Sequence, residues 1–549
     1  MRLTLAIISG LFFILFNGCT SDDHSTVITG KVLTEEGQPP ALAHLHIMKA
    51  GQYFPTAEKT VQVAQDGSFS ISVDSLFYFL LGVTAVDHQN ILIPFYLDSI
   101  PQKIYVDIRL KHYDYLPDFE NVQIIGDWND FDFASASSMK KLADGRFIYK
   151  LNPPADTVAY QLMGLTRDGR SINGTMSDYY RYDGGGDYRS IVKTTGDSFT
   201  IIFDPSLVKR SKRETAQVRF GDDAAFLQQI YEISVLSDTE RKKYRAAGLA
   251  YRARHKTMKG FEYALDSLKN TLLHLGRTAP PPVNKYAMVR LADFGVYMTR
   301  LDSTFYTELI DMVPTNDPLW DDRPDIFFNA YMHLYGRKEV PKMIEQALPQ
   351  IKSRRLAGYL IAQLGMDAHY SGKKEKAEHY YRLLKEKYND IPSLKWFIKE
   401  LNPNKNIAVG KPAPQFSIRM MDSDKTFSNK DLSGVYTLID FWAVWCGPCV
   451  GEMPSLHAAY KKFKGPRFHI LSLSFDRKED DVRKFRKEQW PMPWLHAFVK
   501  GGFNSELAKK FEVTGIPKPI LVDPSGTIVA MKGELRGENL EKTLAKFLR

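Results

Sequence analysis

Cys446-Gly447-Pro448-Cys449 is the stretch of this 549-residue chain whose residue types and spacing could do redox chemistry. Two intervening residues bring a pair of thiols within bonding reach when the backbone between them turns. The run Tyr436 to Phe441 is apolar except for Thr437 and Asp440 and reads as a buried strand, while Val450 to Lys462 reads as a helix. Cys446 therefore stands at a helix N-terminus, where backbone N–H groups stabilise a thiolate and lower its pKa from about 8.5 to roughly 7 or below. That makes Cys446 the candidate nucleophile and Cys449 the candidate resolving thiol. Gly447-Pro448 fixes the turn, and proline lacks an N–H that the start of a helix does not use. Such a pair supports reversible thiol–disulfide exchange, with the Cys446–Cys449 disulfide itself as the redox group and no further cofactor. Zinc would require a second ligand pair, and the chain has only three cysteines.

The third cysteine, Cys19, lies in a different context. Met1-Arg2 precedes an apolar run from Leu3 to Phe16, which is short for a membrane span of roughly 20 residues and has the form of an export signal. Gly18-Cys19 at its end resembles the bacterial lipobox. The resemblance implies a signal peptide over residues 1–19, lipid on Cys19, and a cell-envelope protein held on a membrane, facing the periplasm or the outer-membrane surface. An ordinary cleaved signal is the alternative. If Cys19 carries lipid, only Cys446 and Cys449 remain as thiols, in a compartment that permits disulfides. So short a loop staples no domains together, which leaves a chemical role for the pair.

The elements that must position this chemistry occupy the end of a multidomain chain. Length predicts three or four domains, and 44% apolar with 12% aromatic residues suits globular folding. The net charge of +9 is dispersed and accompanied by no nucleic-acid motif, which excludes nucleic acid as a partner. Residues 26–113 alternate apolar and polar residues between turns and predict a β-sandwich. His44 and His46 would share one strand face there, read as solvated rather than metal-binding because no third ligand is near. Residues 117–207 predict a second β domain, whose Gly126-Asp127-Trp128 stretch resembles an immunoglobulin-like (early-set) module that binds starch or glycogen in some enzymes; Trp128 is the stacking candidate, or else packing. Residues 213–402 change to helical period, with one tetratricopeptide-type (TPR-like) hairpin from Leu356 to Tyr388 and no clean repeat, and read as a spacer. The basic stretches Lys209 to Arg213 and Arg241 to Lys243 read as solvated faces. Residues 405–549 form the last domain.

In that domain, Trp445-Cys446-Gly447-Pro448-Cys449, Pro454 five residues on, and Gly515-Ile516-Pro517 with Leu521-Val522-Asp523-Pro524 together resemble the thioredoxin superfamily. With the entry Val409-Gly410-Lys411-Pro412, the larger resemblance is to its TlpA/ResA-like branch of exported, membrane-tethered thiol–disulfide oxidoreductases. The resemblance implies an α/β thioredoxin-like fold, a cis Ile516-Pro517 bond facing the thiols, and substrate binding by Trp445, Ile516 and Pro517. It also implies proton transfer by two acids, Asp440 in the strand and Glu452 one helical turn after Cys449, serving the resolving thiol. Implied partners are exported proteins with disulfides, and a membrane thiol carrier as electron donor. Lys518-Pro519 departs from the family's usual threonine-containing pair, and Ser472 stands where many members place a lysine near the buried acid. Two rival readings remain: a peroxiredoxin-like peroxidase, disfavoured by Ala443 where those enzymes have threonine, and a binding or scaffold lipoprotein whose redox domain only tethers a partner.

Overall fold

The computed structural model describes residues 25–548 except 75, 98, 100–101 and 256–259. The expected signal peptide and Cys19 lie outside the described residues. The chain forms two compact units that separate in sequence between Leu401 and Asn402. The first holds many strands in several sheets followed by a helical region; the second is a thioredoxin-like domain.

In the first unit, strict alternation along Ser25–Leu33 buries Thr26, Ile28, Gly30 and Val32. This strand pairs with Ser68–Asp74 antiparallel and with Lys103–Arg109 parallel. A Cβ at Gly30 would stand 1.8 Å from the Val106 carbonyl oxygen, so the close strand approach requires glycine there. A second four-stranded sheet, Lys59–Gln62, Ala43–Met48, Tyr78–Ala85 and Ile91–Tyr96, shares the same apolar core. Residues between Arg109 and Gln217 build separate three- and five-stranded sheets around their own core, which includes Ile124, Phe147, Tyr160 and Phe203. The chain then returns: Gln217–Phe220 pairs antiparallel with Lys103–Arg109. The second β region is therefore inserted into the first, and helix begins only at Ala225, not at 213.

The helices from Ala225 to Leu401 are more than a spacer, because their apolar faces belong to the core of the first sheets. Buried polar contacts tie the two regions: Tyr96 donates to Asp317 at 2.7 Å, and Lys285 pairs with the same carboxylate at 3.1 Å. Arg354–Tyr370 and Lys374–Lys387 form the expected hairpin.

Two surface expectations are corrected, and at Trp128 the packing alternative holds. His46 is fully buried, its ring nitrogens 3.0 Å from the Thr60 and Thr84 hydroxyls, and His44 lies 2.9 Å from the Tyr188 hydroxyl. The inserted β region covers both histidines with Tyr182 and Tyr188, so this face is an internal contact, with neutral imidazoles favoured by burial. Trp128 stacks on Tyr149 at 5.2 Å and is half-buried, which is packing rather than an open sugar platform. The basic stretches are also engaged: Arg210 donates to the Pro117 carbonyl at 3.1 Å, and Arg241 pairs with the buried Asp293.

The second unit contains β1 (Ser417–Arg419), β2 (Thr426–Ser428), β3 (Tyr436–Trp442), α1 (Gly447–Gly451), α2 (Met453–Phe463), β4 (Phe468–Ser474), α3 (Glu479–Glu488), β5 (Leu495–Phe498), α4 (Glu506–Lys510), β6 (Lys518–Val522), β7 (Ile528–Met531) and α5 (Glu538–Leu548). The main sheet has order β5-β4-β3-β6-β7. β3 runs parallel to β4 and antiparallel to β6. Leu438, Ile439, Phe441 and Trp442 are buried on both faces, as a central strand covered by helices requires. The β3-to-β4 crossover is made by α1 and α2. Its first turn, at the C-terminal end of the central strand, holds the two cysteines.

The shared core predicts that fragment 25–212, lacking the returning strand and the helices, exposes apolar surface and fails to unfold cooperatively. Fragment 402–549, with a complete core, should give one sigmoidal urea transition. Cooperative unfolding of the 25–212 fragment would contradict this division.

Candidate active site

Cys446 ends the loop from β3 and caps α1, its Sγ accepting the Cys449 N–H at 3.2 Å. The two sulfurs are joined as a disulfide with Cα atoms 5.2 Å apart. Glu452 separates α1 from α2, and Pro454 lies in the first turn of α2, where its missing N–H breaks no intrahelical bond. The Ile516-Pro517 peptide is cis, and the Ile516 carbonyl oxygen lies 3.7 Å from Cys446 Sγ. The segment flagged by sequence is thus beside the sulfur. Both cysteines are buried in this disulfide form, Cys446 being 4% exposed and Cys449 2%.

What is open at this site is aromatic. Trp445 is 57% exposed, and Phe503, 39% exposed, has its ring centroid 6.4 Å away. Phe475 supports Phe503 from below, edge to face at 5.1 Å. Phe503 was not singled out in the sequence; its only signal was an aromatic residue just after the turn-forming pair Gly501-Gly502. Lys518 faces away from the thiols' chemistry, donating to the Phe511 and Glu512 carbonyls at 2.6 and 2.8 Å. The departure from the family pattern at this position thus has a structural use in closing the end of α4.

A further acid, Asp476 at the end of β4, accepts the Val444 N–H at 3.0 Å and the Ser474 hydroxyl at 2.8 Å. It holds the loop that presents Trp445 and Cys446. Nothing near it in sequence points to this role, since its partner is 32 residues away.

The two expected proton-transfer acids differ in their surroundings. Asp440 is 5% exposed in the middle of the sheet, between Ser472 of β4 and Pro519 of β6. Burial, with the nearby Glu452 charge, raises its pKa to about 7, and Arg536 pulls in the opposite direction. Glu452 is neither an exposed helix residue nor a free base. Its Oε1 accepts from Arg536 Nε at 2.9 Å and its Oε2 from the Gly537 N–H at 2.7 Å. Asp440 therefore holds its proton more tightly than an exposed aspartate does. Arg536, 84 residues from Glu452, supplies a cation near Asp440 that the Ser472 position does not. No group of three or more metal-ligating side chains occurs among the described residues.

Comparison with known proteins converges on this C-terminal part of the chain. A family model described as thioredoxin-like matches residues 434–528. The thiol-disulfide oxidoreductase ResA of Bacillus thuringiensis subsp. konkukian is 33% identical over 153 residues, covering 28% of this chain and 83% of that protein. The ResA of Oceanobacillus iheyensis is 29% identical over 145 residues, covering 25% of this chain and 72% of that protein. Among solved structures, the thioredoxin domain of a thiol-disulfide oxidoreductase from Bacteroides vulgatus is 34% identical, covering 26% of this chain and 99% of that one, with a TM-score of 0.24.

The raised pKa of Asp440 makes a stability prediction. The folded state holds this proton more tightly than the unfolded chain, so the buried group costs nothing below the unfolded pKa, near 4. Its cost then grows as pH rises towards about 7. A rise from 3.8 to about 7 corresponds to roughly 4 kcal/mol as an upper figure. Asp440→Asn should stabilise fragment 402–549 at pH 8 by a few kcal/mol and have little effect at pH 4, read by urea unfolding. An equal effect at both pH values would remove the titration argument.

Proposed function

The C-terminal part of this chain belongs to the ResA-like thiol–disulfide oxidoreductases of the thioredoxin superfamily, and we propose that it acts as an exported, lipid-anchored reductase of disulfides in other envelope proteins. The observation that carries this reading is a Cys446–Cys449 disulfide bordered by the exposed Trp445 and Phe503 rings and by the Ile516 carbonyl. A polypeptide offers apolar side chains for the rings as well as a disulfide for the thiols, whereas a small thiol uses only the latter. The fold assignment of the upstream part belongs to the same proposal. It comprises two β-sandwich modules, the immunoglobulin-like one inserted in the other, and a TPR-like helical region.

In the reaction, the Cys446 thiolate attacks one sulfur of a substrate disulfide, forming a mixed disulfide and expelling one substrate thiolate. Asp440 accepts the proton of Cys449. The Cys449 thiolate then attacks the Cys446 sulfur, closes the disulfide and releases the second substrate thiolate. Two electrons pass from the dithiol to the substrate, and protons complete the two product thiols. Asp440 can serve at this step because a pKa near 7 lets it hold and release a proton at working pH. Glu452 acts on Asp440 through its charge. The dithiol is the sole redox group, and a membrane thiol carrier returns it to the reduced state.

Gly447 and Pro448 add no charge to the stabilisation that the helix N-terminus gives the Cys446 thiolate, so the reduced form is not favoured further and the couple favours giving electrons away. Among the described residues no helix is long and apolar enough to cross a membrane. This reading holds the protein at a surface through lipid on Cys19.

Cys449→Ser should arrest the reaction at the mixed disulfide. Expressed in a bacterial envelope, this variant is expected to accumulate reducible adducts with exported proteins that carry paired cysteines, while Cys446→Ser accumulates none. Non-reducing electrophoresis with mass spectrometry of the bands reads the result. Adducts only with small thiols, or equal trapping by both variants, would defeat the proposal.

A further inference from the structure

We propose that Arg536 is a positioning residue of the redox reaction, holding the Glu452 carboxylate so that Asp440 can take the resolving thiol's proton near neutral pH. This rests on the reading of Cys449 as the resolving thiol and extends it to a residue outside every motif of the domain.

The geometry is a clamp. Arg536, just before α5, donates from Nε to Glu452 Oε1 at 2.9 Å, and the adjacent Gly537 N–H donates to Oε2 at 2.7 Å. Both carboxylate oxygens are thereby engaged from one segment, and the side chain is held in the helix break three residues after Cys449. Charge-assisted bonds of this kind in partly buried surroundings are stronger than exposed ion pairs. The Glu452 side chain is 19% exposed and that of Arg536 40%.

The charged groups facing Asp440 are Glu452, from the α1–α2 break, and Arg536, from the segment before α5. Its neighbours within the sheet, Ser472 and Pro519, carry no charge. Glu452 works against ionisation of Asp440 and Arg536 works for it. Fixing Glu452 to Arg536 keeps the repulsive and attractive charges at constant positions. Without Arg536 the repulsion is unscreened, and Asp440 keeps its proton to higher pH. It then becomes available as a proton acceptor only in more alkaline solution.

The test uses the full chain and the rate at which a preformed mixed disulfide between Cys446 and a cysteine-containing peptide resolves, measured from pH 5 to 9. In Arg536→Gln the midpoint of the pH profile should move up by about one unit, a roughly tenfold slower resolution below the midpoint, while formation of the mixed disulfide by Cys446 keeps its wild-type pH dependence. Arg536→Lys should recover most of the shift. The double variant Arg536→Gln/Glu452→Gln should return the midpoint to the wild-type value or below, because no repulsive charge remains to be screened. A merely structural role predicts lower rates at all pH values with an unmoved midpoint, and that result overturns the inference. So does a double variant shifted as far as Arg536→Gln alone. If Arg536→Gln does not fold, Glu452→Gln alone decides: its midpoint must fall, and an unmoved or raised one counts against the proposal. Failure to form any mixed disulfide in the wild type would instead sink the oxidoreductase reading on which the inference stands.

Discussion

A carboxyl group in the middle of a buried strand is the constraint around which the redox domain is arranged. Asp440 interrupts a run in which Leu438, Ile439, Phe441 and Trp442 are all inside the core. Burying an ionised carboxylate without partners is costly enough that the group protonates instead, unless charge is supplied to it. The domain places a bonded pair beside it, Glu452 opposing ionisation of Asp440 and Arg536 favouring it. The outcome is an acid that neither stays ionised, as an exposed aspartate would, nor stays protonated throughout the physiological range. Its sheet neighbours Ser472 and Pro519 add no charge, so the balance is set from the helical side, next to Cys449.

The remaining features hold the sulfurs in register with that acid. Asp476 fixes the loop after β3 through the Val444 N–H, the Cys449 N–H bonds back to Cys446 Sγ, and the Ile516 carbonyl meets the same sulfur from the opposite side. Lys518, directly after Pro517, ties the start of β6 to the end of α4. These contacts come from β3, β4, α1 and β6, so the precision of the site depends on the whole sheet rather than on the four-residue motif. Trp445 and Phe503 project outwards, which in the proposed reaction separates the part that recognises a substrate from the part that moves electrons.

How much of this could be read from the sequence follows the range of the interactions. Strand, turn, thiols and helix lie within about thirty residues, and their pattern is legible because it is local. The Ile516-Pro517 segment is distant but carries its own motif. Arg536 and Asp476 carry none: each is an ordinary charged residue whose meaning arises only when tertiary packing brings it to Glu452 or Val444. The same holds upstream. Alternation identified the strands, yet the return of Gln217–Phe220 to the first sheet was hidden in a four-residue segment after a basic run. His44 and His46 read as a solvated face because the residues that cover them, Tyr182 and Tyr188, lie in a domain inserted more than a hundred positions later.

The proposed direction of electron flow rests on the absence of charge between the two cysteines, which leaves the reduced pair with no stabilisation beyond that of the helix N-terminus. Equilibrating the full chain with defined mixtures of reduced and oxidised glutathione or dithiothreitol, and quantifying the Cys446–Cys449 disulfide by alkylation and mass spectrometry, measures this directly. A reductase should titrate near the strongly reducing end of its fold, about −270 mV, as thioredoxin does. A value near −120 mV, as in the oxidant DsbA, would mean that the protein forms disulfides rather than removing them and would contradict the account.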